Sequence, residues 1–321
     1  MLTPQTMFRA GTSVALISVC AACVPASDPG SPSGAPAAGS NRGVITVGSF
    51  DFPESGLLAE IYGQALAAHG FRVRIMPDLG NRELVDPALM SGLIQVVPEY
   101  AGSALEFVSL GRLSATSNAE ATNKALAASV NDGGLVVGRP APAQDSNAIV
   151  VTAETAARYR LRSIADLARV APRLMFGGPP ECPGRPYCLP GLEHTYGVHF
   201  RGFIPLDAGG PLTLQALEAG DISAALLFST NPSIRTRHLV VLADDRGLQP
   251  AENITPLIRR DAIARYGAGL VAVLDKVSAR LNTGSLRAID ALVQRGRQVP
   301  RRVAASWLRT HGLMPRERAV R

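Results

Sequence analysis

A stretch in the first third of the chain returns 128 residues later, and that echo limits the folds open to it. Ala88-Leu89-x-x-Gly92-x-Ile94 matches Ala216-Leu217-x-x-Gly220-x-Ile222, and the same offset sets Tyr100 on Phe228 and Ser103 on Asn231. Each copy predicts a short helix, a Gly that ends it, an apolar strand of about four to six residues, and then an aromatic. Two α/β units would each present an aromatic where a parallel strand exits. In open α/β sheets ligands bind at that carboxyl edge. If the units face each other, the two aromatics become the jaws of a cleft.

The rest of the chain fits this frame. Gly43 to Ser49 is a β-branched run; Leu57, Leu58, Ile61, Tyr62, Ala65 and Leu66 recur at helical spacing; Phe71 to Met76 alternates like a strand. That order implies a right-handed βαβ unit and a largely parallel sheet. Further helices are expected near Ser103–Leu110, Ala119–Val130, Ala153–Tyr159, Ile164–Ala168, Ala262–Val277 and Leu286–Leu308, with strands at Leu174–Phe176 and Leu239–Ala243. Arg139-Pro140-Ala141-Pro142 and Gln249-Pro250-Ala251-Glu252-Asn253 read as crossings between lobes. The expected organisation is a first lobe of residues 43–142 and 253–321 and a second of residues 143–252. Two crossings and a split first lobe describe a bilobal clamshell of the α/β class, with two mixed, mostly parallel sheets flanked by helices.

Residues 1–23 read as a secretory signal, with Arg9 as the positive region and Ala10 to Val19 as a short apolar one. Ala21-Ala22-Cys23 resembles a bacterial lipobox, whose Cys23 thiol would be acylated; Cys20 competes, but bulky Val19 precedes it. Residues 24–42 are Pro, Ala, Ser and Gly for the most part, so they read as a flexible tether with a reach of roughly 25 Å. The expected location is therefore the outer face of the cytoplasmic membrane, held there by lipid. In an exported protein the close pair Cys182 and Cys188 reads as a disulfide rather than half of a metal site, since no His or Cys completes a ligand set.

Charge excludes nucleic acid as a partner. The net +6 is a tail effect: residues 295–321 carry eight Arg and one Glu, so the remainder sums to −1. Those Arg residues read as a solvated helical face, or less simply as attraction to anionic lipid headgroups. Catalytic constellations are missing. Neither Lys124 nor Lys276 follows a Gly, as a phosphate loop requires, and no G-x-S-x-G elbow occurs. His194 and His199 near Glu193 match no zinc spacing. No metal, cofactor or enzymatic activity is expected; a binding protein is.

The segments GSFDFPES, DLGNRELVDPALMSG, VPEYAGSAL, PAQDSNAIVV, GGPPEC-GRP-CLPGLEHTYG and SAALLFSTNPSI follow in order, and ASWLRTHGL closes the series. Together they resemble the substrate-binding proteins of osmoprotectant ABC importers, the glycine betaine/choline-binding (ProX/OpuC-like) group, over nearly all of residues 44–312. The resemblance implies a type II periplasmic-binding fold that closes on a small solute and delivers it to a permease driven by a separate ATPase. It also implies a cage of tyrosines around a quaternary ammonium and an Arg for the ligand carboxylate. On that likeness Tyr100 is the cage tyrosine of VPEYAGS, Ser103 its hydroxyl donor, and Arg185 the carboxylate-binding arginine. The plainer readings are a half-buried core ring for Tyr100 and a surface ion pair for Arg185.

Several positions depart from the family's pattern. A usual Lys is Phe50 and a usual Gln is Ser55; a cage tyrosine after Asn147 is Ala148, another is Glu252, and a third is Phe228. Glu252 would offer a carboxylate to a cation, while Phe50 and Phe52 would line a flatter slot. The expected ligand-binding set is thus Tyr100, Ser103, Arg185, Phe228, Phe52, Ser55, Asn147 and Glu252, in a monomer. Glycine betaine or choline is the ligand class implied; a less cationic solute, aromatic ones included, is the alternative, and a surface sensor or adhesion lipoprotein is the reading outside transport.

Overall fold

The structure is a computed structural model and describes residues 43–294, 296 and 298–315. The expected signal, tether and Cys23 lie outside the described residues. In chain order the first part holds β1 (Ile45–Gly48), α1 (Pro53–Ala68), β2 (Val73–Met76), α2 (Arg82–Ser91), β3 (Val96–Tyr100), α3 (Ala101–Val108), α4 (Ala119–Val130) and β4 (Leu135–Val137). Next come β5 (Asn147–Val151), α5 (Ala153–Tyr159), α6 (Ile164–Leu167), β6 (Met175–Gly178), α7 (Leu189–Tyr196), β7 (Gly202–Pro205), α8 (Pro211–Ala219), β8 (Ala224–Phe228), α9 (Ser233–Thr236) and β9 (Val240–Val241). The chain closes with β10 (Ile254–Arg259), α10 (Arg260–Tyr266), α11 (Gly269–Ser278), α12 (Thr283–Gln294) and α13 (Pro300–Thr310).

Two five-stranded sheets form, ordered β2-β1-β3-β10-β4 and β7-β6-β8-β5-β9. In each, one strand runs antiparallel to both neighbours, β10 in the first and β5 in the second, so the other four point one way. The fold is the α/β, two-sheet architecture expected, mixed and mostly parallel. The sheets share a topology entered at different points: the first receives its antiparallel strand from the chain's return, the second from the chain's arrival.

The sequence echo marks a structural repeat. Gly92 and Gly220 end their helices with φ of 85° and 82°, a left-handed turn that glycine adopts without a Cβ penalty. After each, the amide of Ile94 or Ile222 bonds back to the Ala88 or Ala216 carbonyl at 3.3 Å. Both isoleucines then fill the space over a glycine in the first strand of their unit. A Cβ added at Gly48 would lie 2.5 Å from Ile94 Cδ1, and one at Gly177 would lie 2.5 Å from Ile222 Cδ1. Equivalent backbone turns and equivalent close approaches make the match a fold property rather than an accident of an Ala-rich chain.

One core gathers β1, β3, α1 and the closing helices, with Ile45, Val47, Leu57, Ile61, Leu89, Leu274 and Leu308 all fully buried. The second sheet buries a cluster on each face, one around Phe176 and Leu192, the other around Leu217 and Leu227. Within the first of these, Cys182 and Cys188 meet with Cα atoms 5.4 Å apart, in the range a disulfide spans. The closing helices differ from two unbroken stretches. Gly267, with φ of 86°, separates α10 from α11, and Pro300 opens α13 as a separate helix, where a helix-interior Pro would lose a hydrogen bond. Arg301 and Arg302 stand exposed on that last helix.

The chain passes between the sheets twice, and the two passes are bonded to each other. Gln144 and Asn253 form an isolated antiparallel bridge, flanked by Asp145 N–H to the Glu252 carbonyl at 3.1 Å and Ile254 N–H to the Ala143 carbonyl at 3.0 Å. This paired ribbon carries Asp145 and Glu252 toward the strand ends where Tyr100 and Phe228 exit.

Candidate functional site

Tyr100 and Phe228 end β3 and β8, and both line a cavity of about 110 Å³ between the two sheets. Phe52 joins them from the turn before α1, its ring centroid 5.0 Å from Phe228 and 5.9 Å from Tyr100. Phe50 stacks on Phe52 at 5.9 Å with planes 5° apart. The four rings form one continuous apolar wall. Their negative faces suit a cation, and each well-placed ring–cation contact contributes about 0.5–2 kcal/mol.

Polar groups surround this wall. Ser103, Asn147, Arg185 and Glu252 line the cavity as the sequence predicts, together with Arg82, Glu106, Asp145 and Tyr187. Ser55 does not reach it. Its side chain is fully buried, and its Oγ accepts the Phe50 N–H at 2.9 Å, so it fixes the loop bearing the stacked rings instead of meeting a ligand. Ala148, where the cage pattern has a tyrosine, is buried in the second sheet's core.

Tyr100 is held by an acid. Its hydroxyl donates to Glu54 Oε1 at 2.8 Å, and burial followed by the Glu54 charge pushes the phenol well above its ordinary pKa. Glu252 also has a structural task. Its Oε2 accepts the N–H groups of Gly102 and Ser103 at 3.0 and 3.1 Å, and its Oε1 takes the Ser103 hydroxyl at 2.5 Å. These are orphan donors at the start of α3, whose own residues supply no side-chain cap. Gly102 is required for that approach, because a Cβ there would meet Pro250 at 2.6 Å. Burial pushes the Glu252 carboxyl up to about 7, against the pull of the Ser103 bonds.

Both arginines at the cavity are already paired. Arg82 forks onto fully buried Glu99 at 2.8 and 2.9 Å and stacks over Phe50 at 5.1 Å. Arg185, between β6 and α7, reaches Glu83 of α2 at 2.7 Å and lies 5.3 Å from the Phe107 ring. Arg82 is locked by its bidentate geometry. Arg185 is the exchangeable one, because Glu83 is about half exposed. Asn147 donates to the Tyr187 carbonyl at 3.1 Å, and the Tyr187 hydroxyl accepts the Ala115 N–H at 3.2 Å.

The family described as the substrate binding domain of ABC-type glycine betaine transport systems matches residues 43–310. The chain belongs to this family. It is a substrate-binding component of an ABC transporter. A glycine-betaine-binding protein of Pseudomonas aeruginosa is 28% identical over 84% of this chain and 88% of its own length. An ergothioneine transport permease/ergothioneine binding protein, EgtU, of Helicobacter pylori is 26% identical over 81% of this chain and 46% of its own. A crystal structure of a glycine betaine/carnitine/choline ABC transporter protein superposes with a TM-score of 0.66 over 84% of this chain and 99% of its own, at 20% identity, which supports the fold. Among the described residues no helix is long and apolar enough to cross a membrane, and no group of three or more His, Cys, Asp or Glu side chains is placed to hold a metal ion.

Within this substrate-binding family member, sequence reasoning missed Tyr187, Arg82, Glu54 and Asp145. Tyr187 had a signal: it is an aromatic inside the Cys182–Cys188 loop, two residues after Arg185. The acids had none, because their partners lie 46 and 85 positions away.

Proposed function

We propose that the cleft captures a small solute with a quaternary ammonium group, of the glycine betaine or choline kind, and presents it to a membrane permease. The observation that carries this reading is the wall of Phe50, Phe52, Tyr100 and Phe228 beside the carboxylates of Asp145, Glu106 and Glu252. A trimethylammonium rests on the rings, while Arg185, released from Glu83, takes a ligand carboxylate. Ser103 and Asn147 orient the polar end. The paired crossings serve as the hinge, with its pivots at residues 142–143 and 252–253. No bond of the solute changes, so the work is capture and release.

Calorimetric titration of the protein at low salt with glycine betaine, choline, carnitine and proline tests this directly. Micromolar binding of a quaternary ammonium compound, reduced at least tenfold in Tyr100→Ala, is the expected result; silence across that panel would sink it.

A second reading rests on the near-parallel stacking of Phe50 and Phe52. A flat slot suits a solute with its own ring, and the Helicobacter pylori relative is named for ergothioneine. Heat from ergothioneine or a neutral aromatic, with none from glycine betaine, would favour this reading.

The exported, lipid-anchored state is part of the proposal. Cys23 is the acylated residue, a Cys182–Cys188 disulfide braces the loop bearing Arg185 and Tyr187, and the protein acts as a monomer outside the cytoplasmic membrane. Metabolic labelling with an alkynyl fatty acid should mark the wild type and not Cys23→Ser. Non-reducing mass spectrometry should find the loop peptide two hydrogens lighter than its reduced form.

A further inference from the structure

A second cavity, about 170 Å³, lies beyond the ligand cleft and shares Phe52, Phe228 and Asp145 with it. Three carboxylates from separate parts of the fold line it: Glu54 from α1, Asp145 from the first crossing and Asp290 from α12. Among the described residues one guanidinium faces them, that of Arg237, and it is paired with Glu218 at 2.5 Å.

The hydrogen bonds of these acids are unequal. Glu54 is satisfied on both oxygens, Oε1 by the Tyr100 hydroxyl and Oε2 by the Thr230 hydroxyl. Asp145 Oδ1 accepts from Ser229 Oγ and the Thr230 N–H, while its Oδ2 has no hydroxyl, amide or guanidinium donor; the neighbouring Glu54 carboxyl can bond to Asp145 when protonated. Asp290 Oδ2 accepts from Gln294 at 2.6 Å, yet its Oδ1 has none. Asp145 is 4% exposed and Asp290 fully buried, so water compensates neither oxygen freely. A buried acceptor without a donor costs about 1–3 kcal/mol. Two in one cavity mark a place where a donor belongs.

The donor's chemistry follows from the walls. A bare metal ion is a poor fit, since no three acidic, His or Cys side chains among the described residues are placed to hold one. A quaternary ammonium carries no N–H and would leave both oxygens unmet. An amine cation carries N–H groups for the carboxylates and an alkyl body for Phe52, Phe228 and Leu214. We propose that this cavity is a second binding site, taking a small primary or secondary alkylammonium ion whose N–H groups donate to Asp145 Oδ2 and Asp290 Oδ1. Burial, with the charge of Asp145 adding to it at Asp290, raises the Asp145 carboxyl to about 6 and that of Asp290 to about 7. Glu54 is held well above the carboxylate range by burial and by both neighbours, and among the described residues lining the cavity Arg237 is the positive group opposing the cluster. A cation would draw the protons off.

The test is a calorimetric titration of the full chain with methylammonium chloride at pH 8, repeated with Asp290→Asn and with Glu106→Gln, which removes a carboxylate that lines the ligand cleft alone. Expected are saturable binding by the wild type, at least a tenfold loss in Asp290→Asn, and binding within about threefold of wild type in Glu106→Gln. Affinity should fall at least tenfold from pH 8 to pH 5 as the aspartates protonate. No saturable binding at pH 8, or binding indifferent to Asp290→Asn, overturns the proposal. So does equal competition by tetramethylammonium or potassium chloride, which would assign the site to any cation. At least a tenfold loss in Glu106→Gln would show that methylammonium occupies the cleft instead. Asp290→Asn keeps the shape of the side chain, and a retained thermal transition separates lost binding from lost fold.

Discussion

Tyr100 joins the ligand wall to the buried acids, and its two halves can be separated by substitution. Tyr100→Phe keeps the ring beside Phe52 but leaves Glu54 Oε1 buried without its donor. A stability loss of about 1–3 kcal/mol is expected, read as a lower Tm, with ligand affinity changed less than in Tyr100→Ala. Glu252 yields a pH prediction. Its carboxyl titrates near 7 in the fold against about 4.3 when unfolded, so the folded form binds the proton more tightly. Stability from this group is full below about pH 4 and is lost as pH rises through 7; Asp145 and Asp290 act in the same direction. The ligand-free protein should melt at a higher temperature at pH 5.5 than at pH 8. Glu252→Gln should raise the Tm at pH 8 by a few degrees and flatten that slope, since an amide can still accept the α3 amides. A Tm that rises with pH in the wild type would refute it. The sequence exposed Tyr100, Ser103 and Arg185 through local motifs, but it hid which acid each side chain meets. A motif encodes type and spacing along the chain, whereas the Tyr100–Glu54 bond exists only after β3 and α1 are packed.

At the scale of elements, the repeat was legible where backbone geometry demands a residue and blurred elsewhere. Gly92 and Gly220 recur because a left-handed turn ends each helix, and Ile94 and Ile222 recur because each fills the space over a strand glycine. The strands between need only apolar bulk, so their residues drifted. Gly48 and Gly177 lie 129 positions apart rather than 128, which hides them from a fixed-offset search. These two glycines give a matched test. Gly48→Ala and Gly177→Ala should each cost about 1–3 kcal/mol, because the new methyl meets a buried isoleucine that has little room to turn. Trimming Ile222 to Val in the Gly177→Ala background removes the clashing Cδ1 and should recover part of the loss. Chemical denaturation of the double-mutant cycle reads that coupling. Additive costs would mean the two side chains do not touch.

Across the whole molecule, the elements around the two sheets are drawn together by contacts of very different strength. Phe52 meets Phe228, Glu54 takes the Thr230 hydroxyl, Tyr187 accepts from Ala115, and Arg185 pairs with Glu83. The Glu54–Thr230 bond is buried, and the two phenylalanines are half-buried. The last is half exposed, so breaking it costs about 0–1 kcal/mol. A low cost is what a ligand carboxylate needs if it is to displace Glu83 from Arg185. Glu83→Gln removes the competitor's charge and leaves Arg185 available. Affinity for glycine betaine should rise by roughly three- to tenfold, most at low ionic strength, while affinity for choline, which has no carboxylate, should stay within twofold. Titrating both ligands into both proteins gives the ratio. If the two affinities fall together, Glu83 works as a closing latch instead, since losing a latch penalises every ligand that needs the closed state by the same factor.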